Sequence, residues 1–160
     1  MKLLHDAFSR TYLPAAAEAQ IPAATANRHA AVLRRCAGTR DSVTVVAPCF
    51  RGNRPLSRFR SSNVLMLTTR RLVITTESPV LRRLQLHLNA ELAQLADVTW
   101  TAEPDGTVMH LALTAMDGVR EHFWLRMGSR EQLQRLNDAL TRVFRRAAAP
   151  KKRAALDLAA

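Results

Sequence analysis

The clearest strand pattern in the chain lies in residues 63–76, Asn-Val-Leu-Met-Leu-Thr-Thr-Arg-Arg-Leu-Val-Ile-Thr-Thr. Two apolar runs, 64–67 and 72–75, flank a polar Thr68-Thr69-Arg70-Arg71 break. That is the pattern of a tight β-hairpin. With Thr69-Arg70 as the loop, Leu67 faces Leu72 and Leu65 faces Ile74 on one side, while Met66 faces Val73 on the other. Both faces of this hairpin are therefore apolar, and each needs a cover.

Upstream, residues 1–40 read as a helical extension packing on the sheet. Leu3, Leu4, Ala7, Phe8 and Tyr12 recur at helical spacing and predict a short helix ending before Pro14. Pro22 opens a second helix running to Arg35, with Ala31, Val32 and Leu33 as its apolar contacts and Gly38 as its stop. From Asp41 the pattern changes to strands. Residues 43–47 predict the first, bent or ended by Pro48, and a polar loop spans residues 51–62. Leu84, Leu86 and Leu88 alternate with Gln85 and His87, predicting a fourth strand with one dry face. Val98 and Trp100 mark a fifth.

Requiring dry faces to agree places the last two turns. A loop of Glu103-Pro104-Asp105-Gly106 sets Trp100 against Met109 and Val98 against Leu111. A two-residue Asp117-Gly118 turn would put Met109, Leu111 and Leu113 on the side of Arg120, His122 and Trp124. Because a one-residue slip inverts every side chain, the loop is predicted to be Met116-Asp117-Gly118, with Gly118 left-handed. Ser129 followed by Gln132 is a capping-box pattern. Leu133, Leu136, Ala139, Leu140, Val143 and Phe144 then form one helical stripe. Residues 41–146 read as one domain and 147–160, with Pro150-Lys151-Lys152-Arg153, as a basic flexible tail.

Composition sharpens this picture in one respect. The 160 residues carry a formal charge of +11, which draws a protein toward anionic surfaces. Arg51, Arg54, Arg58, Arg60, Arg70, Arg71, Arg82 and Arg83 fall in one stretch whose only carboxylate is Glu77. Guanidinium suits phosphate through paired hydrogen bonds; the alternative is a solvated basic face. The two cysteines, Cys36 and Cys49, lack the spacing of a disulfide framework or zinc site. His110 and His122 become diagonal neighbours on the outer face without an evident third ligand. No metal or cofactor is therefore expected. Neither a nucleophile elbow, a zinc-protease motif nor a phosphate-cradling glycine loop is present, so no catalysis is expected. Without an apolar run long enough for a signal or membrane span, the expected location is cytoplasmic, with peripheral membrane association through the basic loops as a possibility.

About seven short strands followed by one amphipathic helix resembles the pleckstrin-homology superfold. Leu67-Thr68-Thr69-Arg70-Arg71-Leu72 is similar to the hairpin of bacterial pleckstrin-homology-like and GRAM-like domains, and Ala96-Asp97-Val98 before a strand and a late Asp117-Gly118 hairpin leading to Phe123-Trp124-Leu125 are similar to the same family. The resemblance implies an α+β fold: a bent antiparallel β-sandwich of about seven strands capped by a C-terminal helix, with an N-terminal helical extension. Thr69 stands where the family usually has Asp or Asn. Arg58-Phe59-Arg60 resembles part of the family's phosphoinositide-binding pattern, whose preceding lysine has no counterpart here. The implied role is a non-catalytic adaptor recognising a protein partner. The hairpin itself adds a candidate surface: the face of Val64, Met66 and Val73 needs covering by the chain's own N-terminal helices, by a second copy, or by another protein, and in the last two cases it is the partner-binding face of a homodimer or of a monomer bound to its partner. Binding of anionic phosphate or an anionic membrane through the eight arginines is the alternative, and nucleic acid comes third, since few aromatic residues are left for stacking.

Overall fold

The computed structural model describes residues 6–38, 40–52, 63–78, 80–103 and 106–145. Seven strands form one antiparallel sheet: β1 (Val43–Arg51), β2 (Asn63–Thr68), β3 (Arg71–Glu77), β4 (Leu84–Glu91), β5 (Ala96–Ala102), β6 (Val108–Thr114) and β7 (Arg120–Arg126). Helices α1 (Ala7–Glu18) and α2 (Ala23–Ala37) precede it and α3 (Arg130–Leu140) follows. The chain is thus α+β. The sheet order is β4-β3-β2-β1-β7-β6-β5, so β1 joins two meanders and β4 and β5 are its edges.

The central hairpin has the predicted register, Leu65 opposite Ile74, Met66 opposite Val73 and Leu67 opposite Leu72. Its two faces are buried in two different cores. Leu65, Leu67, Leu72 and Ile74 join Met109, Leu111, Leu113, Phe123 and Leu125 from the other meander, closed over by Leu133, Leu136 and Leu140 of α3. Met66, Val64 and Val73 are covered by Phe8, Tyr12, Ala16, Ala26 and Leu33 of α1 and α2. These three residues are at most 1% exposed, which corrects their assignment as a partner-binding face. The N-terminal helices of the same chain occupy it, because a short apolar helix persists only where it finds something to pack on.

Helix α1 runs through Pro14 rather than stopping before it. An interior proline costs about 3 kcal/mol, and Pro14 itself is exposed. Ending the helix there would strand Ala16 and Ala19, which carry the Phe8 and Tyr12 stripe onward across the sheet. Asp6 caps the start by accepting from Ser9 N at 2.7 Å, and Thr11 Oγ1 accepts from Val43 N at 2.9 Å, tying α1 to β1. Tyr12 donates to the Ala26 carbonyl at 2.8 Å, and burial pushes its hydroxyl up to about 12. Gly38 ends α2 with φ +74 as expected; of the expected contacts Leu33 is buried, beside Ala26, His29 and Ala37, while Ala31 is exposed and Val32 half-buried.

Strand β1 passes through Pro48 to Arg51. It pairs with β2 over most of its length and with β7 from Cys49 onward. Pro48 therefore lies inside the strand, one residue before pairing with β7 begins. The β6–β7 register is as predicted, with Met109 opposite Leu125, Leu111 opposite Phe123 and Leu113 opposite Glu121. Gly118 has φ +78 in the three-residue loop. In β5–β6 the pairing slips by two, Trp100 lying opposite Leu111 and Ala102 opposite Met109. Glu103 N donates to the Val108 carbonyl, so the loop starts one residue later than predicted. Faces survive a slip of two because the side-chain period is two. Ser129 caps α3, accepting from Gln132 N at 3.3 Å.

His29 is the one wholly buried titratable group between helix and sheet among the described histidines. Its Nδ1 lies 2.6 Å from Thr75 Oγ1, and Nε2 lies 4.0 Å from the Glu77 carboxylate, which Arg28 also holds at 3.3 Å. Burial, the largest influence, holds His29 below its usual range, with Glu77 opposing and Arg28 assisting. The unfolded chain takes up a proton here near pH ~6.5 while the fold resists it, so this contribution is complete above that pH and is lost on acidification. Urea midpoints at about pH 7.5 and about pH 5.5 should differ more for the native chain than for His29→Gln; equal differences would show that His29 does not carry the effect. Met66→Ala should lower stability by about 2–4 kcal/mol by urea unfolding, and a loss below ~1 kcal/mol would mean that the helical layer does not seal this face.

Candidate functional site

Three chain segments meet at one end of the sheet: the end of β1, the start of β4 and the start of β7. Glu121, on the inner side of β7 and only 9% exposed, accepts from His87 Nε2 at 2.8 Å and from the Arg51 guanidinium at 3.0 Å. Gly52 N donates to the His122 carbonyl at 3.0 Å.

A β-bulge explains why His87 is available. Ile74 pairs with Leu88 but Thr75 pairs with Leu86, one residue short of regular register. The extra residue inverts the alternation. Leu88 and Ala90 therefore face the core while Leu86 is exposed, and His87 turns inward to rest edge-on against Phe123 at 6.1 Å. The single dry face predicted for Leu84, Leu86 and Leu88 is thus corrected.

Two turns project from this end. In the β3–β4 turn, Ser78 N donates to the Arg83 carbonyl and Arg82 N to the Ser78 carbonyl, both at 2.9 Å. Arg82 takes a left-handed φ of +46. This leaves Val80 and Leu81 87% and 67% exposed immediately before Arg82 and Arg83. In the β6–β7 turn, Gly118 N bonds the Ala115 carbonyl and Val119 N bonds Asp117 Oδ1, leaving Met116 75% and Val119 50% exposed.

The eight arginines do not form one cluster. Arg51, Arg82 and Arg83 belong to this end, and Arg51 is already paired with Glu121. Arg70 and Arg71 lie at the β2–β3 turn, at the other end of β3. The seven-residue strand between puts roughly 20 Å between the groups. The sequence places all of them in one stretch, but antiparallel pairing sends alternate turns to opposite ends. Arg54, Arg58 and Arg60 lie outside the described residues.

On the outer face, His110 Nε2 lies 3.0 Å from His122 Nδ1 with the rings stacked at 5.1 Å, and Trp124 is 4.7 Å from His110. Burial first, then the charges of His122 and Arg120, hold His110 below its usual range, with Glu103 opposing. Two imidazoles at this distance share a proton, one ring donating and the other accepting. Among the described residues no group of three His, Cys, Asp or Glu is arranged to hold a metal ion. Cys49 is fully buried and its thiol is pushed far up by desolvation. No helix among the described residues is long and apolar enough to cross a membrane.

Sequence reasoning missed Glu121, His87 and the apolar turn tips. The meeting of Glu121 and His87 depends on a bulge in β4, which has no local signal, and on strands far apart along the chain. Val80-Leu81 followed by Arg82-Arg83 is visible in the sequence as an apolar pair beside a basic pair, within a turn.

The fold defines an α+β domain built on one antiparallel sheet. No family model matches the chain, and no curated protein matches it. Among solved structures it is similar to one described as Vav1 inhibited by an allosteric inhibitor, with 10% sequence identity and a TM-score of 0.40 over 64% of this chain. The chain spans 26% of the length of that structure.

Proposed function

We propose that this chain is a non-catalytic interaction module of pleckstrin-homology-like architecture that docks on an anionic membrane surface through the β3–β4 and β6–β7 turns. The strand order, the helix after β7 and its packing into the inner core support the architecture. One observation carries the function: exposed Val80, Leu81, Met116 and Val119 stand on turns at the end where Arg82 and Arg83 also lie. Apolar tips beside exposed cations suit the boundary between headgroups and acyl chains, where apolar side chains are buried and guanidiniums meet phosphate. The expected partner face of Val64, Met66 and Val73 is spent inside the fold, which leaves this end as the better docking surface.

Two juxtamembrane arginines contribute about 1 kcal/mol each toward an anionic leaflet. Arg82→Gln with Arg83→Gln should therefore weaken sedimentation with phosphatidylserine-containing vesicles roughly 30-fold. Leu81→Glu should weaken it as well, with the unfolding midpoint of both variants close to native because these side chains are exposed. Binding that is unchanged in both variants, or equal on purely zwitterionic vesicles, would overturn the membrane reading and favour a protein partner.

A further inference from the structure

The opposite end of the sheet carries a second concentration of charge that the docking turns do not use. Helix α2 ends over the β2–β3 turn, and between them lies a cleft of ≈ 380 Å³. Arg35 comes from the last turn of α2, Arg40 from the connector to β1, and Arg70 and Arg71 from the hairpin turn. Four arginines from three separate segments thus line one concavity. Cys36 and Asp41 complete the wall.

The acids around it are committed elsewhere. Asp41 is 5% exposed, and its two carboxylate oxygens accept from Thr68 Oγ1 at 2.5 Å and Thr69 Oγ1 at 2.6 Å. It therefore braces the turn that presents Arg70 and Arg71. Arg71 shares its outer side with Glu91 at 3.2 Å and Asn89 at 3.2 Å. Arg35 Nε is bonded back to the Ala31 carbonyl at 3.4 Å, which fixes its stem and leaves its terminal nitrogens. Among the described residues the Arg40 and Arg70 guanidiniums have no side-chain partner. The carbonyl end of α2 adds a weak negative potential, and the Asp41 and Glu91 carboxylates add two full negative charges, which leaves the four arginines in excess.

We propose that this cleft binds a soluble, phosphate-bearing small molecule, its phosphate held between the walls by Arg40 and Arg70, with Arg35 and Arg71 supporting. A phosphate matches this site in charge, and its several oxygens accept forked donors from more than one direction. The cleft stands a strand's length from the apolar turn tips and is independent of them, so a soluble ligand rather than a headgroup fits it.

Cys36 supplies the readout. It lines the cleft and is half-buried, whereas Cys49 is wholly buried. Alkylation of Cys36 by N-ethylmaleimide in the full chain should slow saturably, about tenfold, as inorganic pyrophosphate fills the site at concentrations near ~1 mM. Succinate should protect less, and chloride at matched ionic strength should not protect. Arg40→Gln with Arg70→Gln should abolish protection while leaving the urea midpoint and the unliganded alkylation rate near native. Protection reproduced by chloride, or retained in the double variant, would overturn the site. Vesicles containing phosphatidic acid that protect Cys36 better than pyrophosphate would overturn the soluble ligand in favour of a lipid headgroup.

Discussion

A hairpin that is apolar on both faces cannot be satisfied by one core. Residues 64–67 and 72–75 place Leu65, Leu67, Leu72 and Ile74 on one side and Val64, Met66 and Val73 on the other, all at most 1% exposed. The remaining architecture supplies the two covers. The second meander and α3 close over the inner side, and α1 and α2 close over the outer. The second cover carries α1 through a proline, since stopping early would uncover Ala16 and Ala19, which extend the Phe8 and Tyr12 stripe across the sheet. It also leaves His29 sealed against Thr75, so that the joint between helix and sheet is coupled to protonation.

Once both faces of the hairpin are sealed within the chain, its turns are what remain in contact with water. Regular strands put their side chains into the cores, and the polar or exposed features arise where regularity breaks. A bulge opposite Thr75 turns His87 inward to Glu121 and Leu86 outward. The left-handed Arg82 shapes a turn with Val80 and Leu81 at its tip. At the other end Asp41 holds the hydroxyls of Thr68 and Thr69, and so fixes the turn that carries Arg70 and Arg71 opposite Arg35 and Arg40. One end offers apolar tips beside cations, the other a concave guanidinium cleft. The two ends thus differ in chemistry, one apolar at its turn tips and the other charged across a cleft.

Much of the sheet was legible because its signals are local and periodic. The hairpin register, the three-residue loop at Gly118, the stop at Gly38 and the stripe of α3 each follow from the match of an apolar period to a strand or helix, together with the residue that permits a turn. The errors have a common origin. Pro14 and Pro48 were read by their local preference, which tertiary packing overrides. The two-residue slip of β5 against β6 kept the same residues inside, so the periodicity was indifferent to it. The bulge in β4 has no local marker, yet it decided which side of the strand His87 and Leu86 occupy.

The candidate surfaces were less legible still. Linear order told truly that arginine is dense between residues 51 and 83, and that the chain alternates strand and turn there. Alternation in antiparallel pairing then sends successive turns to opposite ends, so Arg70 and Arg71 part from Arg82 and Arg83 and meet Arg35 and Arg40 instead. Sequence by itself determined the period, the turns and the demand for two covers, because these depend on neighbours within a few residues. Only the tertiary structure decided which charges share a cleft and which apolar side chains remain in water, because those depend on contacts between segments far apart along the chain.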